Sequence, residues 1–176
     1  MKKIILARHG EGTAGQKKLV QSRTDLLTEK GIKQAAELAN YLKSGKIDHI
    51  VSSPSFRTLQ TATVVAAIHE LPVSIMNELI EIDFGSMIGQ PAEGLSIEKA
   101  MELGHGENPD LVFERVKQGW NKIINSEWEG TMLVVSHRSI LSAIEAIRNG
   151  GSVQDFLNNR KDNDGLSFGY WKEINL

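Results

Sequence analysis

Three clusters of polar residues each follow an apolar run. Arg8-His9 follows residues 3–7 (KIILA). Ser52-Ser53, and then Arg57, follow residues 47–51. Ser136-His137-Arg138 follows residues 131–135 (TMLVV). Short apolar runs bounded by polar or glycine-rich turns read as buried strands. Arginine presents a rigid fork of donors that matches phosphate oxygens. A histidine offers a nucleophile, a base or a further donor. Helices opening near Ser55 and Ser139 would add free backbone N–H groups, and Gly10 lets the chain turn close to a ligand. In open parallel sheets ligands sit beyond the carboxyl ends of the strands. Parallel strands would therefore bring Arg8, His9, Arg57 and His137, with Arg138 beside them, into one anion-binding cleft. Taken singly, each has a plainer reading. Arg8-His9 suits a surface turn, Arg57 a solvated first-turn residue, and His137 a satisfied interior histidine.

The elements that must position these residues follow from periodicity. Thr28 is a suitable cap for an amphipathic helix with Ile32, Ala35, Ala36, Ala39 and Leu42 at helical spacing, ending near Ser44-Gly45. Pro54 turns the second strand into a helix carrying Leu59, Ala62, Ala66 and His69 on one face. Residues 73–75 suit a short strand. Residues 77–94 have no sustained period and carry three glycines, which reads as a long functional excursion. A short helix is expected over 96–103, a longer one through Val112, Val116, Trp120, Ile123 and Ile124, and another over 139–148. Residues 166–174 read as a final strand of imperfect period. Strands alternate with helices, so the expectation is an α/β protein: a three-layer α/β/α sandwich with a mostly parallel central sheet. No repeat or linker divides residues 1–176, which read as a single domain.

Composition narrows the function classes. The 176 residues carry 20 basic and 22 acidic side chains, a formal charge of −2 that recruits neither nucleic acid nor an anionic membrane. With no cysteine, disulfides and thiolate metal sites are excluded. No apolar run approaches the roughly 20 residues of a spanning helix, and the N-terminus lacks a signal-peptide core, so a cytoplasmic chain is expected. Neither His-Glu-x-x-His nor an Asp-x-Asp calcium pattern occurs, and residues 10–17 lack the spacing of a phosphate-binding P-loop. His49 reads as structural, His69 as compensation of a helix dipole, and His105 as an exposed loop residue. Neither a metal nor a cofactor is expected.

Taken together the motifs resemble the histidine phosphatase superfamily, the phosphoglycerate-mutase-like group. The match runs in order through Arg8-His9-Gly10-Glu11, Gln21, Thr24-Asp25, Leu27-Thr28-Glu29 with Gly31 and Gln34-Ala35, then Ser52-Ser53-Pro54 with Arg57 and Gln60-Thr61-Ala62. Leu79, Glu81 and Gly85 follow, then Gly106-Glu107 with Arg115, and finally Val134, Ser136 and His137. The resemblance implies that His9 takes the phosphoryl group, that Arg8, Arg57 and His137 hold its oxygens, and that Glu81 serves the leaving alcohol as proton donor. Asp83 is the rival donor. Gln21 and Arg138 complete the implied substrate-binding set. The chain also departs from the pattern. Gly12 and Gly15 stand where the family commonly has Thr and Asn, Arg138 stands where a glycine is usual, and Met87-Ile88-Gly89 replaces Trp-Glu-Gly.

What the resemblance implies is metal-independent hydrolysis of a small phosphorylated metabolite through a phosphohistidine. The mutases of the group carry insertions that shield the phosphoenzyme from water, and this chain lacks room for them. The alternatives are mutase-type phosphoryl transfer, a phosphohistidine protein phosphatase, and a phosphate-binding module without turnover. Either a monomer or a homodimer is expected.

Overall fold

The computed structural model describes residues 2–91, 93–162 and 166–176. In chain order the elements are β1 (Lys2–Arg8), α1 (Thr13–Gln16), α2 (Glu29–Leu42), β2 (His49–Ser52), α3 (Phe56–His69) and β3 (Ser74–Ile75). Two 3-10 turns follow at Asn77–Leu79 and Gly85–Met87. Then come α4 (Ile97–Gly104), α5 (Pro109–Asn125), β4 (Gly130–Ser136), α6 (Arg138–Arg148), α7 (Val153–Asp162) and β5 (Trp171–Asn175). The sheet order is β3-β2-β4-β1-β5, parallel except for β5, which runs antiparallel to β1.

The central strands are apolar on both faces, and this forces the three layers. Ile5, Ala7, Leu133 and Val135 pack with Leu38, Ala39, Ala62 and Val65 of α2 and α3. Their strand neighbours Ile4, Leu6, Met132 and Val134 face the other way, onto Val116 and Trp120 of α5, Ile140 and Ile144 of α6, and Phe156 of α7. Caps fix where the helices begin. The Thr28 hydroxyl accepts from the Gly31 N–H at 3.0 Å, and the Ser96 hydroxyl accepts from the Lys99 N–H at 3.2 Å.

Register does the positioning. Arg8 pairs with Ser136, and Ser52 pairs with Val135, so β1, β2 and β4 end at one level of the sheet. His9, Ser53 and His137 are the next residues on each strand. Two cross-strand bonds extend the sheet by one rung: the His9 N–H donates to the Ser136 carbonyl at 3.1 Å, and the Ser53 N–H donates to the Val135 carbonyl at 3.0 Å. The expected excursion over 77–94 is irregular apart from its two short turns, Ala92 lying outside the described residues.

Candidate active site

Arg57 joins the two histidines. Its Nε donates to His9 Nε2 at 3.1 Å, its Nη2 donates to His137 Nδ1 at 3.0 Å, and its Nη1 donates to the Ser22 carbonyl at 2.5 Å. The two imidazoles stand edge to face with centroids 5.1 Å apart. Because a guanidinium only donates, both of these ring nitrogens are acceptors, and the tautomers follow. His9 carries its proton on Nδ1 and donates it to the Gly10 carbonyl at 2.6 Å. His137 carries its proton on Nε2, which faces the Ser53 hydroxyl at 2.7 Å. Gly10 is held in turn by Thr61, whose hydroxyl accepts from the Gly10 N–H at 3.1 Å. A side chain at Gly10 would place its Cβ 2.3 Å from the Gly31 carbonyl oxygen, so only glycine lets the loop press against α2.

Both rings are buried and neutral. Burial, then the Arg57 and Arg8 charges, hold His9 well below the usual imidazole range, against the opposing effect of the Gly10 carbonyl. His137 is lowered by burial first, then by Arg57, His9, Arg8 and Arg115. The unfolded chain therefore takes up protons near pH 6.5 that the folded chain refuses. Stability contributed by these groups is fully present above that pH. It is lost as pH falls from there towards the depressed folded values, by up to about 1.4 kcal/mol per pH unit for each ring. Urea midpoints should thus drop between about pH 7 and about pH 5.5, and drop less steeply in a His137→Gln variant. Equal slopes in the two proteins would contradict the neutral-ring assignment.

Arg57, which joins the rings, also lines a cavity of about 470 Å³. Arg8, Arg57, Arg138, Gln21 and Glu81 supply its polar lining, and Leu19, Val20, Phe84, Leu95, Ile97 and Ala100 its apolar wall. Glu81 sits on the excursion after β3, with its Oε1 accepting from the Ile82 N–H at 3.0 Å. Arg115 of α5 braces that loop. It donates to the Glu78 and Ile80 carbonyls at 2.9 Å each, and grips the Glu107 carboxylate through two 2.9 Å bonds. Asp83, the rival donor, does not line this cavity, and its Oδ1 accepts from the Gly85 N–H at 2.9 Å. Among the described residues no group of His, Cys, Asp and Glu is arranged to hold a metal ion. No helix among them is long and apolar enough to cross a membrane.

Comparison with known proteins agrees with this arrangement. Residues 4–172 match the family model of the histidine phosphatase superfamily, branch 1. The chain belongs to that family. It is 32% identical over 187 aligned positions to phosphoserine phosphatase 1 of Hydrogenobacter thermophilus, covering 98% of this chain and 88% of that protein. Its fold is similar to the crystal structure of the alpha-ribazole phosphatase from Shigella flexneri, with TM-score 0.83 and 25% identity over 99% of this chain and 90% of that one. A phosphoglycerate mutase from Bacillus anthracis shares the fold at TM-score 0.73 and 23% identity, over 84% and 80% of the two chains.

The chain of this superfamily member brings together His9, Arg57 and His137, and Arg57 lines one cavity with Arg8, Gln21, Glu81 and Arg138. Three further features carry no sequence signal of their own. Ser53, legible only as part of its block, is the hydrogen-bond partner of His137. Residues 166–170, expected to be strand, instead fold over Arg8 and His9 before β5 begins at Trp171. There the Leu166 carbonyl accepts from Arg8 Nη1 at 2.5 Å, and the Phe168 ring lies 3.9 Å from the Arg8 guanidinium. Gly12, one of the departures, makes room for Gln21. A Cβ at that position would stand 2.6 Å from Gln21 Oε1, a buried oxygen without a hydrogen-bond partner among the described residues. The other histidines stay outside the site: His49 packs against Trp128, His69 ends α3, and His105 caps α4 with φ 51°.

Proposed function

We propose that the chain is a metal-independent phosphomonoesterase working through a phosphohistidine on a small phosphorylated metabolite. The observation that carries this reading is the single guanidinium of Arg57 bonded to both buried imidazoles beneath a cavity bearing one carboxyl group, Glu81. An entering phosphate exchanges these bonds. Arg57, Arg8 and Gln21 turn their donors to its oxygens, the vacated Nδ1 of His137 accepts from the protonated oxygen of a monoanionic ester, and His9 Nε2 is left with a free lone pair aimed at phosphorus. Nε2 attacks, the P–O bond to the alcohol breaks, and the Glu81 carboxyl proton goes to the leaving oxygen. The Glu81 carboxylate then takes a proton from water, whose oxygen attacks phosphorus. The P–N bond breaks, and inorganic phosphate, neutral His9 and protonated Glu81 result. Charge on the transferring group is met by preorganised donors in a water-poor site, where each is worth most.

The cavity volume falls in the range usual for small-molecule sites. Arg138 adds a cation beyond those that meet the phosphate, which suits a substrate with a second anionic group. The phosphoserine and alpha-ribazole phosphatases that the chain resembles are monoester phosphatases by name, which supports the same reaction class. The test is hydrolysis of an aryl and an alkyl phosphate by the purified protein with excess chelator present. Turnover unaffected by the chelator is expected. Phosphate binding without turnover on either ester, between about pH 5 and about pH 8, would leave only a binding module.

A further inference from the structure

Arg8 is held from the β5 side of β1, where the antiparallel ladder runs on past Ala7 and Trp171. Its backbone N–H donates to the Tyr170 carbonyl at 2.8 Å, and the Gly169 N–H donates to the His9 carbonyl at 3.2 Å. These bonds lay residues 166–170 across the end of β1. The Phe168 ring then covers the Arg8 guanidinium face at 3.9 Å and stands 5.6 Å from the His9 ring. Its far edge reaches α1: a Cβ on Gly15 would lie 2.9 Å from Phe168 Cζ, closer than real Cβ atoms approach. Gly15 has no positive φ, so the backbone there would admit alanine. What the glycine supplies is space, first for the ring and then for the Gln21 amide, whose Nε2 would stand 3.1 Å from that Cβ.

We propose that Phe168 is a positioning residue for Arg8, with Gly15 as the seat that lets its ring reach the guanidinium. The proposal rests on the reading that Arg8 meets the phosphoryl oxygens. An arginine must give up rotamer freedom to present its fork in one plane. The aromatic face and the Leu166 carbonyl fix that plane before substrate arrives, so binding does not carry the ordering cost. The stack is also electrostatic, since a cation over a ring face is attracted by the ring quadrupole.

The test is a set of variants read by competitive inhibition with inorganic phosphate and by kcat and KM separately. Phe168→Leu keeps apolar volume and removes the ring face. It should weaken phosphate inhibition and lower kcat/KM by roughly 3- to 30-fold, with the thermal midpoint close to that of the native protein. Gly15→Ala should shift the same constants in the same direction; because its Cβ would also stand 3.1 Å from Gln21 Nε2, the share of its effect that runs through the ring is the share that disappears in the Phe168→Leu background. In an Arg8→Ala background, Phe168→Leu should have no further effect, because its action runs through Arg8. Additive losses from Phe168→Leu and Arg8→Ala would overturn the proposal. So would native-like phosphate inhibition in both Phe168→Leu and Gly15→Ala while Arg8→Ala loses it. If Arg8→Ala itself leaves phosphate inhibition unchanged, the assignment of Arg8 to the phosphate falls first, and the role of Phe168 falls with it.

Discussion

A His9→Ala variant should fold, bind phosphate, and lose turnover by a factor on the order of 10⁴ to 10⁶, the scale seen when an enzyme's nucleophile is removed. The loss is expected because the ring has one nitrogen to offer. Nδ1 is committed to the Gly10 carbonyl, and burial keeps the ring unprotonated, so Nε2 holds the lone pair. Its present partner is Arg57 Nε. Removing the ring leaves that N–H without an acceptor in a buried site, which costs stability. It also removes a competitor for the anion. Phosphate affinity in the variant should therefore stay level or rise while kcat collapses, a split that mere misfolding would not produce. Quenching the native enzyme during turnover of a labelled phosphate ester should trap a protein-bound label that survives base and is released by acid, as a phosphoramidate requires. The variant should trap none. Turnover within about tenfold of native in a folded variant would exclude His9 as the attacking group.

The geometry behind that prediction is largely legible in the sequence, and the reason is register. Two apolar runs and the mixed segment 47–51 read as parallel strands, and ligands collect where such strands end. The pairing of Arg8 with Ser136 and of Ser52 with Val135 turns that rule into a specific meeting of His9, Ser53 and His137. The periodic helices were legible as elements, but in α2 the expected stripe holds only at Ala35, Ala39 and Leu42, with Leu38 buried beside them and Ile32 exposed.

What stayed hidden depends on contacts that periodicity does not encode. α1 is a four-residue turn with no buried residue, so no apolar pattern marks it. α7 is mostly polar, and what holds it is Phe156 and Leu157 packed on α5 and α6. Residues 166–170 carry strand-like composition, yet Gly169 at φ 77° and the bond from the Tyr170 N–H to the Ser167 carbonyl bend them over Arg8 instead. The meaning of Gly12 and Gly15 was also out of reach from one chain. A missing side chain shows as a lost contact, and only the structure reveals Gln21 and Phe168 filling the vacated space.

Replacing Glu81 with glutamine should separate the two halves of the reaction. The amide keeps the shape of the carboxyl group and its bond to the Ile82 N–H, but it has no acidic proton to give and cannot accept one from water. The loop itself should not move, because Arg115 and Glu107 hold it through the Glu78 and Ile80 carbonyls and the Asp83 backbone. With an alkyl phosphate the first step then expels an unprotonated alkoxide, and kcat/KM should fall by roughly 10² to 10⁴. With a nitrophenyl phosphate the phenolate leaves unaided, so kcat/KM should change little. The phosphohistidine so formed still needs a base to activate water, and it should accumulate. Rapid mixing should therefore show a burst of about one equivalent of phenolate followed by a slow steady state. Asp83→Asn should show neither the leaving-group dependence nor the burst, because that carboxylate lies outside the lining of the cavity. Equal losses on both esters, with no burst, would reduce Glu81 to a residue that shapes the cavity and would pass the proton chemistry to another group.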